Sequence, residues 1–297
     1  MRAVTSFHSS QTLQLHNQFK YPPHIHTNDR HGSRHRAKYA RPKTTSIFRH
    51  TKFVLKNTST DEYRYAFPEN LITDTVIENY LRTKKIPHEA VFPPFPSTGI
   101  TQAPVPLPEN SCIKLPEFIS YYADWDEEKD VKKGESVADA FLHQAQVMEM
   151  LNCNPHPNIV QYHGCIAQDG MIQGICLAKH DMTLAERIHK AKKAKDTSFD
   201  AKSFLKGLES GISHLHGLGL VHNNIHRDNI QIDDGDESNP IIANLDICVS
   251  DGERKFVGGA RDWVREGYWQ ENATKENGLY AQAKIREYLI QEGVLKE

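Results

Sequence analysis

The sequence predicts an α+β chain: a β-rich first part carrying one helix, then a mainly helical second part. Three observations lead there. Short runs of β-forming residues between proline-rich turns fill much of the stretch from Phe48 to Phe118. Apolar residues recur at helical spacing over 136–151 and again over 201–218. A T-x-x-E pattern, Thr183 to Glu186, marks the start of a further helix.

In chain order, residues 1 to about 45 are rich in His, Arg, Ser and Pro and hold one acid, Asp29. Such a stretch buries too little to offset the entropy of ordering, so residues 1–47 are expected to be a disordered basic tail. Its cations, Arg30, Arg34, Arg36, Lys38, Arg41 and Lys43, suit either a solvated tail or a patch for nucleic acid, an acidic partner or nuclear import. The acid-poor start also fits a mitochondrial transit peptide, against which Pro22, Pro23 and the histidines count.

Strand-like pieces follow at 52–56, 91–95 and 111–115. In 136–151, Ala138, Phe141, Leu142, Ala145, Met148 and Leu151 share one helical face. Strands are expected at 159–166 and 171–178, and helices from Thr183 and over 201–218. In the second of these, Phe204, Leu205, Leu208, Ile212 and Leu215 line one side, and Gly217 and Gly219 close it. Strands at 229–232 and 241–245 flank the turn-rich 233–236, and 279–295 reads as a last helix.

Composition narrows the classes. The formal net charge of -2 gives no overall pull towards nucleic acid or membrane. Cys112, Cys153, Cys165, Cys176 and Cys248 are odd in number and lack paired spacing, which points to a reducing setting. No apolar run is long enough for a bilayer, so a cytoplasmic or nuclear protein without membrane attachment is expected. Most of the 17 histidines have no acidic or cysteine partner at ligand spacing and read as ordinary residues. His222 is the exception, expected to be a buried structural residue.

The segment 217–233, GLGLVHNNIHRDNIQID, follows an amphipathic helix and enters a strand. It resembles the catalytic loop of protein kinases, H-R-D-x-x-x-x-N. With His222 at the family's His, Asn223 stands at its Arg, Asn224 at its catalytic Asp and Asn229 at its metal-binding Asn. The literal His226-Arg227-Asp228 would place Asp233 where the Asn belongs and is rejected as the register. Residues 241–246, IIANLD, resemble the D-F-G strand, with Asn244 at the metal-binding Asp and Asp246 at the Gly. Ser111 to Lys114 resembles V-A-I-K, so Lys114 is the candidate phosphate-contacting lysine. Spacing from 154–160, NPHPNIV, puts Gln144 where the lysine's helix Glu would be, so Lys114 is expected to lack its ion pair.

The resemblance is greatest to divergent fungal kinase-like proteins, whose loop reads H-N-D and whose metal site reads D-F-D. It implies a two-lobed kinase-like fold, with an N-lobe over 48–178 and a truncated C-lobe over 179–297. Residues 258–263 resemble a degraded G-T-x-G-W, and Gly278 stands where the relatives' last helix has Asp. Neither A-P-E nor a G-x-G-x-x-G before Lys114 is present.

Amides at positions 144, 224 and 244 keep the shape of carboxylates and delete their charge. An amide at 224 takes no hydroxyl proton, and hard divalent cations favour anionic oxygen. The reading is therefore a pseudokinase working as a binding or regulatory scaffold. Lys114 and Gln144 would line the nucleotide site, Asn229, Asn244 and Asp246 would be vestigial metal positions, and ATP and magnesium would bind weakly or not at all. Protein partners are expected. Two alternatives stay open: an active atypical serine/threonine kinase using Asn229, Asp246 and Asp228, and a nucleic-acid or acidic-partner binder acting through residues 1–45.

Overall fold

The computed structural model describes residues 13–20, 51–57, 60, 62–66, 84–118, 136–233, 235–253, 260–265 and 272–296. The chain divides into two compact units, one of residues 1–91 and 117–137, the other of 92–116 and 138–297.

The first unit carries β1 (Leu13–Lys20), β2 (Thr51–Asn57), β3 (Tyr63–Ala66) and β4 (Lys84–Lys85), in one antiparallel sheet of that order. β1 lies within the stretch expected to be a disordered tail. Leu13 and Leu15 alternate with polar residues there, the pattern that suits a strand, and its pairing with β2 shifts register between Leu15 and Asn17. The rest of the tail lies outside the described residues. Tyr63 and Tyr65, two apart on β3, are both buried with Val54 and Ile86, and Phe118 stacks on Tyr63 with ring centroids 3.9 Å apart.

The second unit opens with β5 (Ser111–Lys114), then α1 (Val137–Cys153), β6 (Tyr162–Gln168) and β7 (Met171–Ala178), the three strands forming an antiparallel sheet in the order β5-β7-β6. Phe141, Ala145 and Met148 on α1 join Cys165 and Ile175 from β6 and β7 in one core. The expected strand at 91–95 does not form. Pro93, Pro94 and Pro96 have no N–H for a ladder, and the segment is held instead by Phe95 N donating to Gly170 O (2.8 Å), Ile172 N donating to Pro93 O (2.8 Å) and an isolated bridge between Pro94 and Met171.

The same core continues into α2 (Leu184–Ala194) and α3 (Ala201–Gly217). The Thr183 hydroxyl accepts from Glu186 N while the Glu186 carboxylate accepts from Thr183 N, completing the capping box. Asp200 caps α3 through the amides of Lys202 and Ser203. Short pairs follow: β8 (Leu220–Val221) with β11 (Val249–Ser250), and β9 (Ile230–Ile232) with β10 (Pro240–Ile242). The last helix, α4 (Lys275–Gln291), begins a turn before the expected 279. It stops before 295 because Gly293, at φ 74°, ends it and Val294 N returns to Leu289 O. The expected lobe boundary at 178/179 falls inside this unit.

Candidate functional site

Four stretches of the second unit bring the singled-out side chains together. β5 carries Lys114 at its end, α1 carries Gln144, the loop after β8 carries Asn223, Asn224 and Asn229, and the stretch after β10 carries Asn244 and Asp246. Asn223 and Asn244 both have φ of 61°. Asn tolerates this left-handed region better than most residues with a side chain, which favours Asn at both turns.

The contacts run in one chain. The Lys114 ammonium pairs with Asp246 Oδ1 and donates to Asn244 Oδ1. Gln144, only 4% exposed, donates from Nε2 to the same Asp246 Oδ1 at 2.7 Å. Asn244 Nδ2 donates to Asn229 Oδ1 (3.1 Å), and Asn229 Nδ2 donates to the backbone oxygen of Asn224 (2.9 Å). The Asn224 side-chain oxygen accepts from Ala260 N at 3.1 Å. All six residues named as site candidates thus belong to one connected cluster. The lysine expected to lack an ion pair has one, supplied by Asp246 rather than by α1.

Below the loop lies a buried anchor. His222, 1% exposed, donates from Nε2 to Ala243 O (2.9 Å), leaving Nδ1 to accept from Asn224 N (3.2 Å). Burial pushes its imidazole from the ordinary 6.5 down to about 4, so the ring is neutral at pH 7. Asn223 donates to Val221 O (3.0 Å) and Ile247 O (3.1 Å) and accepts from Asn277 Nδ2 (3.0 Å). Asn277 Oδ1 in turn accepts from Arg265 Nε at 3.0 Å. Asn223, Asn224, Arg265, Asn277 and Trp263 line a hollow of about 10 Å³, room for a single water.

The literal His226-Arg227-Asp228 lies elsewhere in the loop. The side chains of Arg227 and Asp228 are 44% and 59% exposed, and Arg227 sits over the Tyr288 ring at 5.2 Å.

Sequence reasoning missed two contributors and one pairing. Asn277, not position 278, reaches the loop from α4. A side chain at 278 would meet the His216 ring, since a Cβ there lies 2.7 Å from Nε2. The Ala260 amide carries no signal in its residue type. Asp246 was visible as an acid, yet its pairing with Lys114 joins positions 132 residues apart, which spacing cannot disclose.

Residues 128–252 match the family described as protein tyrosine and serine/threonine kinase. The match takes in Gln144, the loop, Asn244 and Asp246, and leaves Lys114 outside. Among curated proteins, "Serine/threonine-protein kinase/endoribonuclease IRE1" of Hypocrea jecorina is 29% identical over 111 residues, 35% of this chain and 9% of its own. "Hormonally up-regulated neu tumor-associated kinase" of Homo sapiens is 23% identical over 126 residues, 41% of this chain and 16% of its own. The chain therefore spans under a fifth of each of these relatives. Among the described residues no helix is long and apolar enough to cross a membrane. A protein kinase domain is present in this chain, related to known kinases distantly and in part.

Proposed function

We propose that this chain is a pseudokinase: it uses a kinase-like fold to bind partner proteins and signal, and it does not transfer phosphate. The observation that carries the reading is the state of Asn224. At the position of the proton acceptor stands a neutral amide whose oxygen is already engaged by Ala260 N–H. It cannot take up a substrate hydroxyl proton at neutral pH.

Kinase domains use ATP and magnesium, the metal held by an Asp and an Asn. The residues here do not fit that ion. Asn244 Oδ1 is bound by Lys114 and Asn229 Oδ1 by Asn244, and both are neutral. The one carboxylate, Asp246, is ion-paired and also accepts from Gln144. A hard divalent cation would have to displace these contacts for weaker ligands than it prefers. Nucleotide binding is accordingly weak and does not depend on metal. The same contacts weigh against an active atypical kinase built on Asp246, and the exposure of Asp228 weighs against that residue as its base. The cations on which the basic-tail reading rests, Arg30 to Lys43, lie outside the described residues.

The test is phosphotransfer by the purified chain from labelled ATP to itself and to a general acceptor protein, with magnesium or manganese. No transfer above a Lys114→Met control is expected. Metal-requiring transfer that Asn224→Ala abolishes would overturn the proposal.

A further inference from the structure

We infer that Asp246 is an internal counter-ion that gates anion access to Lys114, so that the polyphosphate of a nucleotide reaches this lysine only by displacing the Asp246 carboxylate. The inference rests on the assignment of Lys114 as the phosphate-contacting lysine and deepens it.

Two donors from different elements converge on one oxygen. Lys114 Nζ arrives from β5 and Gln144 Nε2 from α1, and both meet Asp246 Oδ1. The Lys114 and Asp246 side chains are 24% and 34% exposed, so their attraction is less screened than that of a surface pair, while the pair is still reachable from solvent. Gln144 is buried, which fixes the direction from which it donates.

The residue types at 144 and 246 explain each other. An acid at 144 would set a second carboxylate against Asp246, and like charges at hydrogen-bond distance disfavour one another's ionised form. An amide at 144 instead supplies an N–H that the Asp246 carboxylate needs. Negative charge has thus moved from the helix to the strand-following turn, and it still neutralises the lysine. The consequence for ligands follows from that position. A phosphate oxygen seeking Lys114 competes for the place Asp246 Oδ1 holds, and the two anions repel. With the carboxylate gone, an ammonium and an amide N–H are left aimed at one vacant oxygen position, a small anion site.

The test is equilibrium binding of ATP to the full chain in excess EDTA, by calorimetry, for wild type, Asp246→Ala, Asp246→Asn and the double variant Asp246→Ala with Lys114→Met. Asp246→Ala should tighten metal-free ATP by about tenfold, at the low end of coupled binding equilibria. The double variant should return to wild-type affinity or weaker. Should Asp246→Ala not fold by circular dichroism, the isosteric Asp246→Asn carries the test and should tighten ATP in the same direction. Unchanged or weaker ATP binding by the folded variants would overturn the inference, as would tightening that survives loss of Lys114. Failure of the pseudokinase reading is read separately, because phosphotransfer by the wild type bears on Asn224 and leaves this affinity comparison intact.

Discussion

Asn223 and Asn224 are neighbours of the same residue type, and they serve different regions. Asn223 belongs to the buried anchor, where its amide bonds two backbone carbonyls and the side chain of Asn277. Asn224 joins the half-open cluster around Lys114 through its backbone oxygen, which accepts from Asn229 Nδ2, while its side-chain oxygen holds the backbone amide of Ala260. In the anchor, an amide is needed because donors and an acceptor are required at once, and a carboxylate cannot provide both. At 224, only the side-chain oxygen has a partner among the described residues, so a carboxylate would serve the observed contact equally well. The contrast separates an amide that holds the fold from one whose observed contact needs only an oxygen.

The strongest way to break this contrast is to make the same change at the anchor. Asn223→Asp keeps the size of the side chain and tolerates the φ of 61°, so backbone strain does not confuse the outcome. It replaces the donating N–H₂ with an oxygen facing Val221 O and Ile247 O. Losing two buried hydrogen bonds and placing an acceptor against carbonyls should destabilise by about 4 kcal/mol, read as a lower urea midpoint. A loss under about 1 kcal/mol would mean that the anchor is not what organises the loop.

Acid titration probes the same region with a smaller effect. His222 titrates near 6.5 when unfolded and near 4 when folded. Between those values the unfolded chain binds the extra proton, so stability rises with pH across this window and is lost as pH falls through it. The loss from His222 should approach about 3 kcal/mol by pH 4. His222→Gln, whose amide can still donate towards Ala243 O, should be less stable at pH 7 and should flatten that slope. A slope unchanged by the substitution would place the titrating group elsewhere.

How much of this could be read in the sequence depended on the range of the interaction. Periodicity on α1 and α3 and the Thr183 box are set by residues a few positions apart, and all three formed as expected. The burial of His222 followed from local pattern too, and its ring bonds the carbonyl just before Asn244. The 91–95 strand failed because its apolar residues outvoted prolines that cannot pair. The contact of Asn277 with the loop carried no signal in the sequence, and the neighbouring Gly278 is explained by close packing against His216, which excludes a side chain there. The Lys114 to Asp246 pair was hidden for a different reason. Electrostatic partners are chosen by folding, and residue 144, where the resemblance implied an acid, holds an amide that donates to Asp246.

The smallest effect is the sharpest against the anchor result. Asn224→Asp preserves the acceptor for Ala260 N–H and makes that bond charge-assisted, at a site where solvent still reaches the side chain. It should therefore stabilise slightly, by about 0.5 kcal/mol at pH 7 in the same urea assay, and the gain should vanish as the new carboxylate protonates. Opposite signs for one chemical change at adjacent positions would follow directly from which atoms each amide uses. Destabilisation above about 1 kcal/mol would show that the Asn224 N–H₂ also has a structural partner, and residue 224 would then belong with the amides that hold the fold.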